Sequence, residues 1–259
     1  MIKMSDKDYF ASEGISNSDF RLLKESALHL ENKEYFRLES KALSIGSLTH
    51  AMVLEPETVQ NNYAIEDFEG HDLNKNSKAY KEAKAKFIEE SEGKEIVSSA
   101  DFEKVTAMAR NVKAIAGGLL RNGHAEVAFF GEMDNLKTKC KADFYRPDDG
   151  IVIDLKTTAS IKDFRNSMVN YGYITQASWY IDVINSTGAK ASRFVFILVE
   201  TQKPYMVSVV EMGQITIQEG RSLYGEYLRE WKDYKENGIV SVVKTIEAPD
   251  WWLDYRGAK

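Results

Sequence analysis

An apolar strand that carries charge at fixed steps constrains this chain more than any other feature. Residues 151–158 read Ile-Val-Ile-Asp-Leu-Lys-Thr-Thr and follow Asp143 across a Pro-Asp-Asp-Gly turn. Side chains alternate along a strand, so Asp154 and Lys156 project from one face. Ionised groups at the mouth of a buried sheet cost free energy unless they are paired or bind an ion. A two-residue turn centred on Asp148-Asp149 sets Asp143 directly opposite Asp154. Opposed residues have Cβ atoms roughly 4.5–5.5 Å apart, close enough for two carboxylates to share a divalent cation. Lys156 stands one step further along the same face.

The rest of the chain frames this hairpin. Ser16-Asn17-Ser18-Asp19 is a run of helix-capping residues before an amphipathic stretch, Phe20 to Leu30. The pattern predicts further helices over Leu43–Leu54, Lys78–Ser91 and Ser99–Leu120, with residues 61–77 as an irregular loop. Three strands follow, Glu126–Met133, Leu136–Tyr145 and Ile151–Lys156, joined by turns at Asp134-Asn135 and Asp148-Asp149 as an antiparallel meander. Helices from about Ile161 and over Tyr173–Ile184, strands Arg193–Glu200 and Tyr205–Glu211, and a long helix Ile215–Lys235 complete the pattern. Helices, meander, helix pair and further strands predict a mixed α/β (α+β) fold, a central mixed sheet flanked by helices. We expect one domain over 1–259: a mainly helical part to residue 120, a core over 121–237 and a tail over 238–259.

Composition excludes several classes. No apolar run approaches the roughly 18–20 residues a membrane span needs, and the first residues lack the apolar core of a signal peptide. The single cysteine, Cys140, rules out an internal disulfide framework or a four-cysteine metal site. A cytoplasmic protein is the simplest expectation. The net charge of −6 argues against nucleic-acid binding by bulk electrostatics. It leaves room for basic residues gathered in a channel, or for a protein that encircles its substrate.

Two close carboxylates resist joint ionisation unless a cation neutralises them, and oxygen ligands suit Mg²⁺ or Mn²⁺. Such an ion screens a phosphate and activates water, and a lysine beside it stabilises developing charge. The set Asp143, Asp154 and Lys156 therefore points to phosphodiester hydrolysis. The plain alternative is a surface hairpin with an ordinary ion pair. His50, in Gly46-Ser-Leu-Thr-His50, is a candidate metal ligand or a satisfied core histidine. Gln176 and Tyr180 share one helix face and suit a phosphate or the acid cluster. Glu126 is a further acid at a strand start. Lys139 and Lys141, with Lys137, alternate on the face of Asp143; they and Arg21 and Lys24 are candidate DNA contacts or merely solvated. Tyr224, Tyr227, Trp231 and Tyr234 read as core or subunit contacts. Trp251-Trp252 read as a docked tail.

Glu126, Asp143, Asp154-Leu155-Lys156 and Gln176-x-x-x-Tyr180 together resemble the PD-(D/E)XK nuclease pattern. Gly46-x-x-x-His50 upstream resembles its RecB-like branch. The stretches Gly46–Pro56 and Ser16–Leu23 look like RecE-type, exonuclease VIII-like enzymes of phages and prophages. The resemblance implies a restriction-endonuclease-like core in which Asp143, Asp154, the Leu155 carbonyl and His50 bind Mg²⁺, or Mn²⁺ in its place. Lys156 would be the catalytic lysine, with Glu126, Gln176 and Tyr180 lining the site. It implies processive 5′→3′ digestion of linear duplex DNA from its ends, in a bacterial host cell. A 3′ single strand would remain for a RecT-like annealing partner, and the chain would form a ring-shaped homo-oligomer. The family's early helix often carries Ser-Pro where this chain has Ser26-Ala27, which leaves that helix end open. A PD-(D/E)XK endonuclease and a catalytically silent DNA-binding or phage assembly module are the alternatives.

Overall fold

Capping side chains start most helices of the first half. The computed structural model describes residues 1–36, 41–68, 73–238 and 248. A two-residue strand, β1 (Ile2–Lys3), precedes α1 (Asp6–Ala11), where Ser5 accepts a hydrogen bond from the Asp8 amide. In α2 (Asn17–Glu25) the Asp19 carboxylate accepts from the Ser16 amide at 2.7 Å, satisfying a first-turn donor. The stretch expected to continue to Leu30 breaks at Ser26. Its fully extended backbone ends α2, and its hydroxyl caps α3 (Ala27–Glu31). Serine competes for backbone donors and so favours caps over helix interiors.

Helix α4 (Lys41–Leu54) stops before Pro56, and a short helix α5 (Val59–Asn62) leads into β2 (Tyr63–Glu66). The sequence reading placed β2 in an irregular loop. It pairs in parallel with β3 (Glu95–Ser98), beyond α6 (Lys78–Glu90). No local pattern reveals a partner some thirty residues away. The small parallel sheet sits beside α7 (Ser99–Ala116), which ends at Gly117, one turn short of the expected Leu120.

The meander follows: β4 (His124–Met133), β5 (Leu136–Arg146) and β6 (Ile151–Thr158). Asp134 and Asn135 both have positive φ, the two-residue turn that matches strand twist. After α8 (Phe164–Asn170) and α9 (Tyr173–Ser186), β7 (Arg193–Glu200) pairs in parallel with β6, and β8 (Val207–Glu211) closes the sheet. The six strands lie in the order β1-β4-β5-β6-β7-β8, antiparallel except for β6–β7. The first part of the chain thus lends a strand to the main sheet. The long helix α10 (Gln214–Asn237) follows.

Two apolar layers cover the sheet. One face packs against α2, α9 and α10, with Phe20, Trp179, Phe194 and Phe196 at its centre. The other packs against α4 and α7 through Leu48, Met108, Val112, Ile153 and Ile197. Along β6, Val152 falls in the first layer and Ile151, Ile153 and Leu155 in the second, the alternation that sends Asp154 toward α9. Gly220 lets α10 approach α9: a Cβ there would lie 2.1 Å from Ser178 Oγ and 2.5 Å from the Ile174 carbonyl. The α10 aromatics Tyr224, Tyr227, Trp231 and Tyr234 pack against the first layer, with Tyr224 stacked on Phe20. Trp251 and Trp252 lie outside the described residues. Among those described, no helix is long and apolar enough to cross a membrane.

Candidate active site

The β5–β6 ladder runs Arg146↔Ile151, Tyr145↔Val152, Phe144↔Ile153 and stops. Continued by one pair, that register sets Asp143 opposite Asp154, as the turn arithmetic required. There the strands part. Asp143 Oδ2 instead accepts the Leu155 amide at 2.7 Å, so a carboxylate replaces a main-chain acceptor at the fork. On the other side the β4–β5 ladder pairs Ala125↔Phe144 and Val127↔Ala142 but omits Glu126 and Asp143. Glu126 has φ +52°, an unfavourable conformation for a side chain of this kind and one that persists only where its surroundings fix it. Three acids, Glu126, Asp143 and Asp154, therefore stand in one row across three strands.

The fork lets both layers reach the row. From α4, His50 Nε2 donates to the Leu155 carbonyl at 2.6 Å, while its Nδ1 lies 3.5 Å from Asp143 Oδ2 and 4.0 Å from Glu126 Oε1. From α9, Gln176 Nε2 donates to Asp154 Oδ1 at 2.5 Å. The Lys156 ammonium is 2.6 Å from Asp154 Oδ2 and 5.2 Å from the centre of the Tyr173 ring. Tyr180 lines the same cavity, its ring edge-on to Phe194.

Charge is concentrated and poorly solvated. Asp154 is 1 % exposed. Burial and the neighbouring Asp154 push the Asp143 carboxyl up to about 7. Burial works to lower the Lys156 ammonium, but Asp154 and Asp143 outweigh it and hold it above its ordinary value. Burial drives the Tyr180 phenol well above its usual range.

These residues fit a divalent cation. His50, Glu126 and Asp143 each offer a ligand atom within 4.8 Å of the others, and the Leu155 carbonyl adjoins them. Asp154 Oδ2 is buried with an ion pair but no hydrogen bond, and the crowded acids call for positive charge. The grouping differs from the expected set in one respect. Glu126 stands among the clustered ligand atoms, and Asp154 is held beside them by Gln176 and Lys156.

The candidate DNA contacts fare differently. Lys139 is 2 % exposed, and its ammonium donates to the carbonyls of Tyr9 at 2.9 Å and Ser12 at 2.5 Å. It is packing that holds α1, and burial lowers its pKa. Lys137 pairs with Glu13, and Lys141 with Glu126 and Asp6. The strand alternation placed these lysines on one face correctly, but the N-terminal segment covers that face. Arg21 and Lys24 are exposed on α2, and Arg21 donates to the Phe36 carbonyl at 3.3 Å. Neither lines the cavity of about 720 Å³ that contains the acids.

That cavity has walls the sequence reading missed: Asp6, Tyr9 and Phe10 of α1, Ser16–Ser18 at the start of α2, and Tyr173. The serines were legible only as caps, and nothing local marked α1. Gly46 lines it too. Among the described residues a Cβ there would meet only Thr157 Oγ1, at 3.7 Å, so none of their backbone demands the glycine, and it widens the cavity.

A mixed sheet forked at an Asp143/Asp154-x-Lys156 centre, with helices on both faces, defines the PD-(D/E)XK nuclease class, enzymes that hydrolyse phosphodiesters with divalent metals. Within it, the chain belongs to the family described as PDDEXK-like domain of unknown function (DUF3799), whose model matches residues 16–242. No curated protein matches. Among solved structures, an exonuclease candidate from Eubacterium rectale superposes with a TM-score of 0.62 at 16% identity, covering 98% of both chains. At that identity the likeness shows the fold. A phage-related exonuclease from Haemophilus somnus 129PT shares 15% identity over 51% of this chain and 73% of its own (TM-score 0.32). An alkaline exonuclease from Laribacter hongkongensis shares 14% over 71% and 87% (TM-score 0.30).

Proposed function

We propose that this chain is a divalent-cation-dependent exodeoxyribonuclease that digests linear duplex DNA from its ends in the 5′→3′ direction. The observation that carries this is Lys156, held 2.6 Å from Asp154 in a row of acids at the strand fork. His50, Glu126 and Asp143 would hold Mg²⁺ with the Leu155 carbonyl, and Asp154 would share it across the fork. When bound, the ion supplies an activated water and charge neutralisation at the phosphate. The protein's own groups do the rest. Gln176 fixes one Asp154 oxygen, so the other stays with Lys156. The Lys156 ammonium stays charged and orients the water or steadies charge developing on the phosphate. Tyr173, beneath it, limits where it moves, and the Tyr180 phenol remains a neutral hydrogen-bond donor.

Polarity, ring assembly, a RecT-like annealing partner and a bacterial cytoplasmic setting extend the reading from the RecE-type resemblance. The exonuclease description of the Eubacterium rectale protein agrees with it. A ring would also let a chain of net charge −6 keep hold of DNA by enclosure. Linear duplex labelled at either the 5′ or the 3′ end, with a closed circle as control, tests the reading. Early loss of the 5′ label from linear DNA alone, abolished by a chelator, is expected. Cutting of the circle would favour the endonuclease, and DNA left intact under all conditions the silent module.

A further inference from the structure

Lys141 faces two ways. Its ammonium lies 2.7 Å from Glu126 Oε2 and 2.5 Å from Asp6 Oδ1. The lysine side chain is 12 % exposed and that of Asp6 74 %. Glu126 is divided as well. Oε2 meets Lys141, while Oε1 looks toward His50 Nδ1 at 4.0 Å. Asp6 is not placed by chance, since Lys139, two residues before Lys141 on the same strand face, fastens the end of α1 through Tyr9 and Ser12.

We infer that Lys141 is a positioning residue, an internal counter-ion shared between the acid cluster and α1, and that this sharing sets how tightly the cluster binds a divalent cation. The inference rests on the cation-dependent reading above. An ammonium against Glu126 orients one carboxylate oxygen but also repels a second cation nearby. Asp6 draws part of that positive charge outward. Removing the lysine's charge therefore strengthens cation binding, and removing the charge of Asp6 weakens it. A purely structural role for this pair would weaken binding in both variants. A unit charge within several ångströms of a divalent ion changes its affinity by about tenfold at a partly buried site, and by less when solvent and salt screen it.

Calorimetric titration of Mn²⁺ into the full chain without DNA tests this. Lys141→Met should bind about tenfold tighter and Asp6→Asn about threefold weaker, the latter difference shrinking in high salt. Lys141→Gln, which keeps a hydrogen bond to Glu126, should shift in the same direction as Lys141→Met and covers the case where that variant folds poorly. In the Lys141→Met background most of the Asp6→Asn effect should vanish, because Asp6 acts through the lysine. Wild-type binding with both charge variants weakened, or with neither changed, overturns the inference. An undiminished Asp6→Asn effect without Lys141 overturns it too. If wild type takes up no Mn²⁺, the cation-dependent reading itself falls, and the inference with it.

Discussion

Glu126 and Asp143 face each other at the pair that the β4–β5 ladder omits, and both strands change faces there. Ala125 and Phe144 pack in the α4/α7 layer, whereas Val127 and Ala142, two residues away, pack in the α9 layer. Strict alternation would keep each such pair of positions on one side. The left-handed backbone at Glu126 absorbs the switch. It lets residues flanking the acids serve both cores while the acids turn into the cavity between them.

Lys156 holds the charge nearest Asp154, so its loss should be felt in chemistry and in stability. Lys156→Met should slow digestion by at least about a thousandfold, the scale of losing a preorganised charge at the reacting centre. It should also cost about 3 kcal/mol, because Asp154 is left buried without its partner. Asp154→Asn should be equally inactive with a smaller stability loss. Initial rates of label release and thermal melts measure the two effects, and a Lys156→Met enzyme working at the wild-type rate would remove this residue from the site.

His50 joins the acids from a helix on the opposite face, so it is separable from the fold. His50→Ala should weaken Mn²⁺ binding at least roughly 10- to 100-fold, the cost already seen when a group that merely orients a ligand is lost. Raising the Mg²⁺ concentration should restore much of the activity. Calorimetry reads the first effect and a metal titration of the rate the second; an unchanged titration curve would contradict the assignment.

Burial and the neighbouring Asp154 push the Asp143 carboxyl up to about 7 in the folded chain, from an ordinary carboxylate value of 3.8. Between those values the folded state holds the proton more tightly, so stability falls as pH rises through that window. Chelated protein should therefore lose several degrees of melting temperature from pH 5 to pH 7.5. Saturating Mg²⁺ should flatten this dependence by taking the place of the proton. Melts at stepped pH, with and without the ion, would show two parallel curves if the acid did not sit in the cation site.

Lys139 is packing, although its place in the sequence resembles a phosphate contact. Lys139→Ala should destabilise the protein by about 1–3 kcal/mol, since two carbonyls lose their buried donor. Hydrogen exchange should accelerate over residues 5–13. The slope of DNA affinity against salt should not change, whereas loss of a true phosphate contact would lower it by about 0.9.

The hairpin was legible because a turn fixes register and register fixes which carboxylates meet. Asp143, Asp154 and Lys156 could be placed together on that ground, while Gln176, on α9, joined them only through the family resemblance. Their surroundings could not. The fate of Lys139 depends on α1 folding back over β5, a contact between residues more than a hundred apart, and β2 depends on a partner beyond α6. For Glu126 the local pattern shows only a further acid at a strand start, because the backbone conformation that turns it inward leaves no mark there.

Asp143 accepts the Leu155 amide where a neighbouring strand's carbonyl would otherwise stand. One side chain thus belongs both to the sheet and to the candidate site. Residues in surface loops can be added or lost without moving it, but a slip of one residue along β5 or β6 would take away that bond and scatter the acids together. A misregistered chain would then be a failed sheet and an inert protein at once, so activity would certify correct pairing.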